Sequence, residues 1–504
     1  IVHNNYMSTH QLYEQYTAQM RKIADVKYAL AVLQWDQETY LPAKGASLRG
    51  QQMATLSEIA HQLFVNEKLG ALLNELSAAN GLTNTQQRNV TLTLEDYKKN
   101  KKYTSAFVRE LSEATSRSYH AWIEARKQND FGVFEKSLDD LVRLKKEEAH
   151  ILGFEQHPYD ALLNEFEKGA TVAWLDTLFN ELQQPLKQLL STVMQRPQPD
   201  DGFLHQHFDK DAQWKFGLDM LKRMGYDFEA GRQDISEHPF TTSFNSSDVR
   251  VTTRIDENDF TSMTWSCLHE GGHALYEQGL PADQYGLPLG EYCSLGIHES
   301  QSRLWENCIG RSKAFIKHNI PLIRQYFPQL KQAGSQQLFA AVNKVKPSLI
   351  RTEADELTYH FHVMIRYALE KKLIEGSLST KDIPQFWNES YKQLLGVDVP
   401  DDKNGCLQDI HWSHGSFGYF PTYSLGSLYA AQFFAFMQKQ NPGLLTQVAE
   451  GDYTQIHEWL QTHVYQYGRA YTSSELCNKV TGESLQLKYF IQYLTSKYSA
   501  VYHF

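Results

Sequence analysis

Apolar residues that recur every third and fourth position, and almost never every second, restrict the fold of this chain more than any other feature. From Ser8 to Gln34 the residues Leu12, Tyr16, Met20, Ile23, Val26, Leu30 and Leu33 line one face of a 3.6-residue helix. The same period predicts helices over Gln51 to Phe64, Thr85 to Leu111, Ser112 to Lys127, Val133 to Leu152 and Val172 to Met194, with Gly, Asn, Pro or Asp at most breaks. One segment departs from it. Val249, Val251, Thr253 and Ile255 alternate within Thr241 to Phe260, which predicts a small strand or hairpin. The expected class is therefore a mainly α body with a small β element.

The chain has 504 residues but only 15 Pro, and no long Gly/Ser tract, so there are few places to divide it. Residues 196–202 (RPQPDDG) and 397–405 (VDVPDDKNG) are short enough to be loops within one helical domain over residues 7–504. Residues 1–6 precede Met7 and read as a possible extension.

A net charge of −10 offers no footprint for nucleic acid, and the basic run Lys98, Lys99, Lys101 and Lys102 reads as a solvated helix face. No stretch reaches about 18 consecutive apolar residues, and the amino end lacks the apolar core of a signal peptide, so no membrane partner is expected and the location expected is the cytoplasm. Five scattered cysteines without a C-x-x-C pair fit reduced thiols, with Cys267 and Cys293 read as buried and neutral.

The chemistry concentrates in His269-Glu270-Gly271-Gly272-His273. Residues four apart lie one turn apart on a helix, so His269 and His273 can face one ion while Glu270 stands about 100° around, beside a water on that ion. Two glycines inside a helix each cost about 0.5–1 kcal/mol relative to Ala, which points to close approach by another element. Ser294 to Lys313 reads as a second helix, and Glu299, 26 positions beyond His273, is the leading third ligand, with His298 its rival. Three protein ligands and one open position make a catalytic rather than a structural zinc site.

Several further motifs stand in a fixed order: Trp35 to Pro42 (WDQETYLP), Tyr159 to Leu163 (YDALL), His238-Pro239-Phe240, Asp248 to Thr252 (DVRVT), His298-Glu299-Ser300, Ile350 to Asp355 (IRTEAD) and Gly405 to Trp412 (GCLQDIHW). With the HEGGH segment they resemble the motif set of the carboxypeptidase Taq family of metallocarboxypeptidases, over essentially the whole chain. The resemblance implies a helical, neurolysin-like fold with a deep groove, a homodimer, and removal of single residues from peptides bearing a free C-terminal carboxylate, with broad side-chain tolerance and poor action beside proline.

For that reaction Glu270 is the expected general acid and base towards a water activated by zinc, with cobalt as an alternative ion. Tyr423 is the first candidate donor to the oxyanion, followed by His411 and His238. Arg supplies the planar fork that distinguishes a terminal carboxylate from an amide, and Arg351 leads, although an Arg among Glu353, Asp355 and Glu356 also suits a structural ion network. Arg250 is second and also suits a strand pair with Asp248, while Asp355 and Asp409 are expected to orient imidazoles. Aromatic stripes such as Tyr359, Phe361 and Tyr367, or Phe433, Phe434 and Phe436, read as helix core. An endopeptidase or dipeptidyl carboxypeptidase, a non-catalytic peptide-binding homologue, and an iron oxygenase with two His and one carboxylate remain as alternatives.

Overall fold

The computed structural model describes residues 7–504, so the possible extension at 1–6 lies outside the described residues. Helices dominate, as the period requires, but their limits differ in places. The first runs from Thr9 to Thr39, five residues beyond the expected end, because nothing breaks the pattern before Pro42. The expected break between Leu111 and Ser112 does not exist. The helices there are Asn84–Asn100 and Ser105–Gln128, parted at Thr104, whose hydroxyl accepts from the Phe107 N–H at 3.1 Å and starts the second helix. A helix over Glu67–Ala78, capped by Asn66, was not foreseen. Residues 196–201 and 397–405 lie in loops and turns.

The β element holds three strands, β1 (Gly231–Ile235), β2 (Thr241–Asn245) and β3 (Asp248–Thr253), in the order β1-β3-β2. β2 and β3 form the expected hairpin, with Thr242 opposite Arg250, while β1 pairs parallel to β3, with Arg232 opposite Arg250. The sequence GRQDI carries too few alternating β-branched residues to announce β1. The remainder of the predicted segment is a loop ending at Asp259, which caps the helix Phe260–Gln278 that bears the HEGGH residues.

Two hydrophobic clusters set the frame. The main one draws on residues from Trp122 to Tyr502, and a smaller one joins Leu12, Tyr16, Met20 and Ile23 to Phe64, Leu69, Leu73 and Val90 in the amino-terminal helices. A cleft of about 1890 Å³ runs between them, walled by Tyr28, Asp96 and Lys99 from the amino-terminal layer and by the HEGGH helix and residues 341–359 from the main body. Trp35 fixes the first helix to the sheet, its ring 4.4 Å from the Arg250 guanidinium. The basic run is paired or solvated, with Lys99 3.1 Å from Glu165 and Lys102 donating to the Leu152 carbonyl. No described helix is long and apolar enough to cross a membrane.

Candidate active site

The two interior glycines of the HEGGH helix are explained by what crosses it. A Cβ on Gly272 would lie 2.7 Å from the Gln301 carbonyl oxygen and from Ser302 Cα, and one on Gly271 would lie 2.8 Å from Met224 Cε. The crossing helix, Leu295–Arg303, continues as a π-helix over Leu304–Gly310 and is clasped on another side by Gly426, where a Cβ would lie 2.6 Å from that of Glu299. Glycine on both flanks thus lets Glu299 approach the two imidazoles.

The approach gathers a donor set. One atom each from His269, His273 and Glu299 lie within 4.8 Å of one another, the one such cluster of metal-ligating groups among the described residues. Glu299 Oε2 is 3.7 Å from His269 Nε2 and 3.5 Å from His273 Nε2. Two imidazole nitrogens and a carboxylate oxygen suit a divalent ion with an open position. His298, the rival ligand, is engaged elsewhere: its ring stacks on His273 with centroids 4.5 Å apart and its Nε2 bonds Glu277 at 2.8 Å.

The surrounding charges prepare the donors. His269 Nδ1 bonds Glu306 Oε2 at 2.9 Å, which turns Nε2 towards the ion position. Burial would lower the His269 pKa, but Glu299 and Glu306 carry it upward. Burial pushes His273 down to about 3, so it is neutral. Burial works against the Glu299 charge, yet Arg303, His269 and His273 hold it well below the usual carboxylate range, and Arg303 Nε donates to Glu299 Oε1 at 2.6 Å. Glu270, 7 % exposed, is shifted the other way: burial raises it, against the pull of His269 and of the Thr241 hydroxyl, which donates to Glu270 Oε2 at 2.7 Å.

Sequence reasoning missed Glu306 and Arg303, although a signal was present. They follow Glu299 by seven and four residues, which puts all three on one helix face. It assigned the orienting role to Asp355 and Asp409 instead, and neither touches an imidazole. Asp355 accepts from the backbone N–H of Lys346, Leu357 and Thr358 and so shapes a turn, while Asp409 binds two arginines.

Of the other expected residues, Tyr423, His238 and Arg351 line the cleft. Tyr423 is half-buried against His411, with 3.1 Å between its hydroxyl and His411 Nε2, and His238 is exposed on the wall between β1 and β2. Arg351 gives Nε and Nη2 to Asp409 Oδ1 at 3.0 and 2.9 Å and Nη1 to the Tyr359 hydroxyl at 3.0 Å. Arg250 stands apart. Its fork is closed on Asp248 at 2.8 and 2.9 Å and it does not line the cleft, which matches the strand pair rather than a carboxylate reader.

Tyr359 is buried in the main cluster, as its reading as helix core has it, and it also lines the cleft, with Arg303 4.5 Å from its ring centroid. Cys267 is buried as expected, its thiol pushed up to about 12 by burial, whereas Cys293 is only half-buried and reaches the cleft wall.

The chain is similar to known proteins over nearly its whole length. Residues 15–498 match the family model described as carboxypeptidase Taq (M32) metallopeptidase. The chain is 38% identical over 510 residues to thermostable carboxypeptidase 1 of Thermus thermophilus, covering 98% of this chain and all of that protein. It superposes on the M32 carboxypeptidase of Deinococcus radiodurans R1 with a TM-score of 0.96 at 39% identity, over 98% of this chain and 100% of the other. The solved protein called "The Structure of CHT" gives 0.95 at 60% identity, over 97% and 99%. With the donor set, the crossing helices and the full-length match in agreement, the chain belongs to the carboxypeptidase Taq (M32) family of metallopeptidases.

Proposed function

We propose that this metallocarboxypeptidase releases single C-terminal residues from peptides of broad sequence, using zinc or, alternatively, cobalt at His269, His273 and Glu299. The observation that carries the reading is the convergence of those three donors within 4.8 Å beside the buried Glu270. When bound, the ion supplies Lewis-acid polarisation of a water and of the scissile carbonyl.

The protein's own groups do the rest. Thr241 occupies Glu270 Oε2, which leaves Oε1 to take the proton of the attacking water and to return it to the leaving amine. Burial raises its pKa, which makes it a stronger base towards that water. Burial pushes His411 down to about 3 and holds the Tyr423 phenol well above its ordinary value, so both are neutral. With its proton on Nε2, His411 donates to the Tyr423 oxygen and frees the Tyr423 O–H to stabilise the oxyanion. His238 is a second donor from the opposite wall. Arg351 reads the terminal carboxylate with the N–H groups that Asp409 and Tyr359 leave spare. Tyr359 links the two groups of residues, stacked by Arg303 and bonded by Arg351. The same reading takes the protein to be a cytoplasmic homodimer with reduced cysteines, which sedimentation would test.

The experiment is mass spectrometry of a peptide and its carboxy-amidated twin, incubated with metal-loaded protein, chelated protein and Glu270→Gln. A ladder from the carboxy end is expected with the free carboxylate, with only slow release from the amidated twin. Chelation abolishes it, and Glu270→Gln slows it by about 10²- to 10⁴-fold with metal content unchanged. Internal cuts in both twins would overturn the single-residue reading.

A further inference from the structure

Arg351 alone makes a poor carboxylate reader, because its partner Asp409 cancels its charge. A third residue alters that balance. Arg366, on the helix Tyr359–Glu375, donates from Nε to Asp409 Oδ2 at 2.6 Å and is 0% exposed. Two guanidiniums against one carboxylate leave one positive charge, and the histidines touching the group do not change the count. Burial pushes His411 down to about 3 and His362 well below its usual value.

A buried network built only for stability gains nothing from an uncompensated charge, since desolvation penalises it. Here the excess is placed with care. Arg366 is tied by Nη1 to the His362 carbonyl at 2.8 Å, by Nη2 to Gln408 Oε1 at 2.7 Å, and lies 4.4 Å from the Trp387 ring centroid. Gln408 Oε1 also accepts from the Arg351 backbone N–H at 2.9 Å, so one amide holds both arginines in register. Neither Arg366 nor Asp409 lines the cleft, and Arg351 does. Of its five N–H groups, two go to Asp409 and one to Tyr359, which leaves one on Nη1 and one on Nη2.

We propose that Arg366 is a positioning residue that takes up the Asp409 charge, so that Arg351 presents a net positive charge and two spare donors to a monoanionic substrate carboxylate. This rests on the reading of Arg351 as the group that meets that carboxylate. It also accounts for Gln408 and Asp409 of the GCLQDIHW motif, which make no direct contact with the metal donors.

The test measures KM, kcat and product inhibition on a peptide with a free carboxylate and on its carboxamide twin, with metal content as a control. Arg366→Met leaves the triad neutral and should raise KM and the product inhibition constant for the free carboxylate about tenfold or more, with kcat and the amide twin little changed. Arg366→Lys should recover most of the loss. Pairing Arg366→Met with Asp409→Asn restores the single positive charge without an unpaired buried carboxylate, and should restore the preference for the free carboxylate.

Equal losses on both twins, or no loss in a folded, metal-loaded Arg366→Met, would overturn the proposal. If Arg366→Met does not fold, the double variant decides, and a lost preference there overturns it. Arg351→Met run alongside separates the two ideas: if it leaves the preference intact, the Arg351 reading itself has failed.

Discussion

Two charged groups of residues that differ in sign border the cleft, the second reaching it only through Arg351. Around the ion position stand three carboxylates, Glu270, Glu299 and Glu306, with two guanidiniums, Arg303 and Arg311, the latter 3.2 Å from Glu306. At the other end two guanidiniums, Arg351 and Arg366, share one carboxylate, Asp409. The first group carries one net negative charge and suits a dication; the second carries one net positive charge and suits a monoanion. Tyr359 meets both, its ring 4.5 Å from the Arg303 guanidinium and its hydroxyl accepting from Arg351 Nη1 at 3.0 Å. The lesson is that a buried ion network announces its guest by the charge it leaves uncompensated.

Among the variants that set one end against the other, the largest effect should come from removing the cation at the positive end. Arg351→Met is expected to lower kcat/KM on a free-carboxylate peptide by about 10²-fold, the worth of a charge-assisted bidentate contact, while the amidated twin and the metal content stay as they were. Loss of metal in this variant would break the comparison, since it would make the two groups one cooperative unit.

At the negative end the expected loss is in metal affinity. Glu306→Gln should weaken metal binding by about 10- to 100-fold, read by competition with a chromogenic chelator, because His269 loses the carboxylate that orients it. At saturating metal the ratio of free-carboxylate to amide hydrolysis should be unchanged. A changed ratio would show that the ion-holding residues also read the carboxylate.

The negative end was far more legible in the sequence than the positive one. Both histidines and Glu270 fall within five residues of one helix, where a spacing of four fixes their geometry. Gly272 even gave notice of the crossing helix, and Gly271 of the side chains of Leu221 and Met224. Arg351, Arg366 and Asp409 come from three separate segments, and no local period links them. Arg366 in particular sits among Val363, Met364, Ile365 and Tyr367, so the pattern reads as core and gives no sign of a buried guanidinium. The helical class followed from the 3.6 period, whereas β1 did not, because its place depends on pairing with β3 rather than on its own composition.

The smallest expected effect concerns why the positive end stays positive. Glu370 lies one helical turn from Arg366 on the same helix and is fully buried, so its ionised form would offset part of the excess. Burial pushes its carboxyl up to about 7, against donation from Tyr159, the Gly418 N–H and, at 2.8 Å, Trp412 Nε1. A carboxyl with a raised pKa binds its proton more tightly in the folded state. Its contribution to stability is therefore complete below the unfolded value of about 4.3 and is lost as pH rises through about 7. Glu167, also raised to about 7 by burial, acts with the same sign, so wild type alone does not isolate either group. Glu370→Gln keeps a neutral, hydrogen-bonding side chain and should flatten part of the decline in thermal midpoint between pH 5 and 8, a difference of about 1–3 kcal/mol across that range. The comparison sharpens if wild type also loses affinity for the free carboxylate above pH 7 while Glu370→Gln does not, because the proton on Glu370 would then be what preserves the unbalanced charge. It breaks if both proteins show the same loss, which would place the titrating group elsewhere in the cleft.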